Sequence, residues 1–111
     1  MTDSSGVIRI DLIGPLSVRD RAGRDISPKG AKNQGLVALL ALSPGMRRPR
    51  RWIEDKLWSA FAPEQASASL RQALAKLRGS LGDAADVIVA DRGTVGFDPE
   101  RVQVDLLEHK I

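Results

Sequence analysis

The chain has 111 residues and a formal net charge of +3, is 42% hydrophobic and 28% charged, and contains no cysteine and one histidine. That length bounds it to one domain with a single modest core. The lack of cysteine excludes disulfides, thiol nucleophiles and thiolate zinc sites, and no apolar run reaches the ~20 residues needed to cross a bilayer.

Met1 to Gly6 lack the basic and apolar blocks of a secretion signal, so a flexible N-terminus over 1–6 and a cytoplasmic protein are expected. Val7, Ile8, Ile10, Leu12 and Ile13, then Leu16 and Val18, form short apolar runs broken at Gly14-Pro15 and Ala22-Gly23. They predict short strands of a small antiparallel sheet, with Ile26 beginning a third strand. From Ala31 to Leu42 the period becomes helical, and Pro44-Gly45 ends that first helix. Gly35 inside it suggests close packing against a neighbour. Arg47 to Arg50 reads as a short extended link. A second helix is predicted over Arg51–Phe61 from Ile53, Leu57 and Phe61 at steps of four, with Trp58 as a core anchor and Trp52 half-exposed.

The most informative segment follows. Leu70, Leu74, Leu77 and Leu81, spaced four, three and four apart, define one narrow buried face of a third helix over 64–81. Pro63-Glu64 suits its start and Gly82 its stop. On the wheel Ser69, Gln72 and Lys76 point away from the leucines, while Arg71 and Arg78 share one flank. Val87 to Val89, the turn Asp91-Arg92-Gly93, and Val95 with Phe97 predict a hairpin, and Val102 with Val104 extend the sheet. The class is α+β, with one domain over 7–104 and 105–111 as the start of a helix or of a linker.

Charge is unevenly distributed: residues 44–82 carry eight basic and three acidic groups, whereas 83–111 carry three and seven. The cluster Arg47, Arg48, Arg50 and Arg51 supplies half of the central basic groups, and on its own it reads equally well as a solvated turn. Catalytic chemistry is not indicated. With His109 the only histidine, no triad, metal ligand set or phosphate loop can be assembled. Asp86, Asp91 and Asp98 near the hairpin are expected to cap turns or face water rather than act as a catalytic pair. No enzyme, cofactor or metal is expected.

Several short blocks in order, Ile10-Asp-Leu-Ile-Gly-Pro-Leu16, Leu39-Leu-Ala-Leu-Ser-Pro-Gly45, Leu57-Trp58, Ala68-Ser-Leu-Arg-Gln-Ala-Leu74, Leu77-Arg78 and Leu81-Gly-Asp83, carry a resemblance. Over residues 7 to 108 the chain resembles the N-terminal domain of Streptomyces antibiotic regulatory proteins (the SARP type) and related bacterial activators, which are relatives of OmpR/PhoB-type winged helices. The resemblance implies a winged helix-turn-helix: an N-terminal antiparallel sheet, three helices with the last in the major groove of double-stranded DNA, and a C-terminal hairpin wing.

By that resemblance Ser69, Gln72 and Lys76 read base edges, and Arg71, Arg78 and the wing's Arg92 meet phosphates. Ala31, Pro49 and Gly93-Thr-Val-Gly-Phe97 depart from the family pattern and weaken phosphate contacts, for which Lys29, Lys32, Arg48 and Arg50 compensate. It further implies a helical-repeat activation domain after Val104-Asp-Leu-Leu-Glu108, RNA polymerase as a further partner, and tandem self-association on DNA. No membrane partner is implied. The competing expectation is a winged helix used for protein contact, and Ala68, Ala75 and Gly79 on the outward face of the third helix fit either use.

Overall fold

The computed structural model describes residues 7–105. It is a mixed α+β fold of three helices and two small three-stranded sheets. The expectation for 1–6 and that for the linker over 105–111 lie outside the described residues, except for Asp105, which is buried and accepts from Leu12 N at 2.7 Å and Ile13 N at 3.1 Å, and so belongs to the folded domain.

The first sheet sets Ile8–Asp11 in the middle, between Ser17–Asp20 and Val102–Val104. In β1 (Ile8–Asp11) the period of two sends Ile8 and Ile10 into the core, while Arg9 and Asp11 on the other face form an ion pair at 2.8 Å. β2 (Ser17–Asp20) runs antiparallel to it, with Ile10 opposite Val18. The other side of β1 is taken by β6 (Val102–Val104), which runs parallel, with Ile8 opposite Val102 and Ile10 opposite Val104. The sheet is therefore mixed and not antiparallel as expected. Ile26 begins no strand either, since the segment makes only one bridge, Arg19 to Asp25. Asp25 accepts from both the amide and the hydroxyl of Ser27, and Ser27 Oγ in turn accepts from Val18 N at 2.8 Å. Backbone pairing here is limited to Asp20 N with Arg24 O and Ile26 N with Val18 O, at 2.9 and 2.8 Å, and the Ser27 bonds complete the turn.

α1 (Ala31–Ala41) buries Asn33, Leu36, Val37, Leu40 and Ala41, a helical stripe over nearly three turns. Gly35 is in ordinary contact with the next helix, since a Cβ there would lie 3.5 Å from Leu57 Cδ2. The chain then turns sharply through Pro44–Met46, with Gly45 and Met46 both at positive φ, 64° and 58°. β3 (Arg47–Pro49) follows as an edge strand, where Pro49 costs no ladder bond.

α2 spans Arg50–Leu57, four residues shorter at its C-terminal end than the sequence pattern suggests. Trp58 leaves the helical region (φ −133°, ψ 42°) and is buried, at 6% exposed, while Phe61 is left 41% exposed. Burying the indole ends the helix before the Ile53-Leu57-Phe61 stripe is complete. Trp52 is half-buried, as expected. α3 (Pro63–Leu81) opens on proline, ends at Gly82 (φ 56°), and buries Ala66, Leu70, Ala73, Leu74, Leu77 and Leu81 against α1 and α2.

After a 3-10 turn over Gly82–Val87, β4 (Ile88–Ala90) and β5 (Thr94–Phe97) form the hairpin, in a second sheet of order β3-β5-β4. Gly96 is required there. A Cβ on it would stand 2.2 Å from Met46 O and 2.8 Å from Arg47 Cα, backbone that cannot swing aside.

Leu74→Ala should destabilise the fold by about 2–5 kcal/mol through lost burial and a cavity, and Gly96→Ala by about 1–3 kcal/mol through overpacking. Denaturant unfolding measures both, and an unchanged midpoint for Leu74→Ala would mean that α3 buries a different face.

Candidate nucleic-acid interface

α3 presents three lines of side chains. The leucine line faces the core; opposite it stand Gln72, Ala75 and Gly79, all exposed, with Ala68 half-buried at the same angle. Arg71 and Arg78 are exposed on one flank, roughly 20° apart at 3.6 residues per turn. Ser69 and Lys76 lie on the other flank, Lys76 exposed and Ser69 half-buried, so of the three base-edge candidates Gln72 alone stands on the outward line.

The flank of Arg71 borders a groove of about 1140 Å³ between the first turns of α2, the start of α3 and the hairpin tip. Arg50, Arg51, Arg71 and Arg92 line it, with Trp52, Trp58 and Phe61 as its apolar wall and Glu54, Asp55 and Glu64 as its acids. Three of the expected phosphate-binding residues, Arg50, Arg71 and Arg92, are thus brought together. Arg51 is a fourth that the sequence expectation left unassigned, although it sits in the same basic cluster. Its one signal in the sequence is membership of that cluster, which gives every arginine there the same reading. None of these four forms an ion pair among the described residues, whereas Arg9, Arg24 and Arg101 do, with Asp11, Asp20 and Asp86. Arg50 Nε is nevertheless turned onto Asp91 O, and the three carboxylates of the lining leave the groove a small net positive charge.

The hairpin tip is fixed to α2. Arg50 N donates to Gly93 O at 2.8 Å and Arg50 Nε to Asp91 O at 2.7 Å. Asp91 organises the turn by accepting from Gly93 N, Thr94 N and Thr94 Oγ1. The Thr94 amide first, then Gly93 N–H and the Thr94 hydroxyl, hold its carboxyl below the ordinary carboxylate range. The neighbouring acids have separate duties. Asp86 pairs with Arg101 at 2.8 Å, and Asp98 Oδ1 accepts from Glu100 N. Among the described residues no group of His, Cys, Asp or Glu could hold a metal ion.

The remaining expected phosphate ligands are partly engaged within the protein. Lys32 Nζ donates to Leu57 O and lies 5.8 Å from the centroid of the Trp58 ring. Arg48 is half-buried; its Nε donates to Ser43 Oγ at 3.0 Å and its guanidinium stacks 4.1 Å over Trp52, leaving the two terminal nitrogens as the available fork. Lys56 lies 5.4 Å from the same indole. Arg78 does not line the groove. Lys76 instead shares a second groove with Lys29 and Asn33.

No family model matches the chain, and no curated protein matches it. Among the described residues no helix is long and apolar enough to cross a membrane.

Because hydrogen bonding depresses the Asp91 pKa in the fold, its contribution is fully present above the pKa of the unfolded chain and is lost as pH falls through the folded value. The Asp91 carboxyl should titrate below the ordinary carboxylate range, with the Gly93 and Thr94 amides moving together in an NMR titration and that linked transition absent in Asp91→Asn. An Asp91 titration at or above the ordinary range would contradict the turn described here.

Proposed function

We propose that the chain is a sequence-specific DNA-binding domain of a bacterial transcription regulator, a winged helix-turn-helix in which α3 enters the major groove and the β4–β5 hairpin is the wing. The observation that carries this reading is the outward line of α3. Its Gln72, Ala75 and Gly79 are small or uncharged, and cations edge it on both sides, Arg71 and Arg78 on one and Lys76 on the other. Small residues let a helix approach base edges closely, and a glutamine offers the donor and acceptor pair that matches adenine. The connection of three helices to an edge strand and a hairpin, in the order β3-β5-β4, supports the same reading.

Unpaired arginines at Arg50, Arg51, Arg71 and Arg92 supply the phosphate contacts on the hairpin side, and the Arg48 fork adds to them. Contact with RNA polymerase and tandem pairing on DNA belong to the same proposal, with no residue assigned to either. A second reading, protein contact, is favoured by one feature: Phe61 stands 41% exposed on the wall of the arginine groove.

Salt separates the two readings, because counterion release makes DNA affinity fall steeply with salt whereas an apolar protein contact does not. Each variant is titrated against a preferred and a scrambled duplex at two salt concentrations. Gln72→Ala should cost about 1–3 kcal/mol on the preferred duplex and little on the scrambled one. Arg71→Ala should weaken both and make the salt slope shallower by about one unit. A folded protein that binds no duplex at low salt rules out the DNA reading. Site preference that survives Gln72→Ala rules out this orientation of α3.

A further inference from the structure

Arg92 stands exposed at the tip of the β4–β5 hairpin, and one residue of another element holds the chain on both sides of it. The carbonyl just before it, Asp91 O, accepts from Arg50 Nε at 2.7 Å, and the carbonyl just after it, Gly93 O, accepts from Arg50 N at 2.8 Å. The sheet stops short of this point. β3 meets β5 only as far as Pro49 opposite Thr94, and β4 meets β5 only as far as Ala90 opposite Val95. Within the turn, Asp91 Oδ1 accepts from Gly93 N and Thr94 N, and Asp91 N donates to Thr94 O at 3.0 Å. Those bonds shape the turn but do not join it to α2. Among the described residues, the two bonds from Arg50 do.

The side-chain bond is the informative one. An arginine that served only to meet phosphate would turn its whole guanidinium to the groove, whereas Arg50 is half-buried and commits its Nε–H to a backbone carbonyl. Its two terminal nitrogens are left for a partner. Arg50 thus acts in two directions, outward with its fork and inward on the turn that carries Arg92.

We propose that Arg50 is a positioning residue for Arg92: its Nε–H holds the hairpin tip so that the Arg92 guanidinium stands on the same groove as Arg51 and Arg71 before any partner arrives. The proposal rests on the DNA-binding reading and deepens it. A phosphate contact made by a side chain whose backbone is already placed avoids the cost of ordering a free turn at the moment of binding.

Two neutral substitutions of nearly equal length isolate the bond. In Arg50→Gln the carboxamide nitrogen falls where the arginine Nε stands and donates to Asp91 O, whereas Arg50→Met has the same reach and no donor. Both lose the charge and the fork. Each is checked for folding by its unfolding midpoint, with Arg50→Ala, which also lacks the donor, replacing Arg50→Met if that chain does not fold. Each is then titrated against a duplex of mixed sequence at several salt concentrations, alone and combined with Arg92→Gln. Arg50→Gln should make the salt slope shallower by about one unit, for its own lost fork, and Arg50→Met by about two, because the Arg92 contact goes with it. Adding Arg92→Gln should weaken binding at least about fivefold in the Arg50→Gln chain and hardly at all in the Arg50→Met chain, the coupling of residues that act as one unit. Arg71→Gln, on α3, should cost the same in both. A second arm uses no DNA: backbone NMR relaxation at Arg92 and Gly93 should show a more mobile tip in Arg50→Met than in Arg50→Gln. If the duplex binds and Arg92→Gln costs the same in both chains, Arg50 is an independent phosphate ligand and the proposal is overturned. A tip equally mobile in both variants also overturns it. If the folded chain binds no duplex at low salt, the DNA-binding reading fails, and the relaxation arm still decides whether Arg50 holds Arg92 in place.

Discussion

The structure depends most on the burial of one face of α3. Leu70 and Leu77 are fully buried, and Leu74 and Leu81 nearly so, in a core shared with α1, α2 and both sheets. Turning the helix by one residue would swing the leucine line by about 100° and bring Arg71 and Arg78 toward the core, where an unpaired charge is strongly disfavoured. The rotation of α3 is therefore fixed, and with it the identity of the outward line. Gln72, Ala75 and Gly79 of that line are exposed, so the core does not dictate their composition.

The second constraint is the close approach of β5 to the chain entering β3. At Gly96 two backbones pass at a distance no other residue tolerates, just where Gly45 and Met46 take up left-handed conformations. That contact holds the hairpin beside β3, and the bonds from Arg50 to Asp91 and Gly93 pin its tip to α2. Arg92 on the tip, Arg50 and Arg51 at the start of α2 and Arg71 on α3 come from three separate elements, yet packing alone brings them around one groove. None of the four is in an ion pair among the described residues, and with Glu54, Asp55 and Glu64 also in the lining the groove keeps a small positive excess for an anionic partner.

Much of this was legible in the sequence. The leucine spacing of α3, its start at proline and stop at Gly82, the hairpin, expected from Val87 and found one residue later over 88–97, and the burial of Trp58 follow from local periodicity and turn chemistry. What was not legible depends on contacts between distant segments. The parallel pairing of Val102–Val104 with β1 joins the two ends of the domain, and nothing in either short valine or isoleucine run specifies its partner's direction. The early end of α2 reflects a competition between a helical stripe and the burial of one indole, which the tertiary packing decides. The cations were hardest to assign. Lys32 and Arg48 look like their neighbours in sequence, but Leu57 O and the face of Trp52 engage them, while Arg51 stays unpaired. The resemblance found in the short sequence blocks remains a proposal about function, carried by the geometry of α3.

The central claim is that α3 reads DNA sequence through its outward line. The most direct measurement is selection of bound molecules from a random duplex pool by the folded chain, repeated with Gln72→Ala. A short enriched motif is expected, with an adenine preference at one position that disappears in the variant while the rest of the motif remains. Recovery of no motif by a folded protein, or of the same motif unchanged by Gln72→Ala, would contradict it.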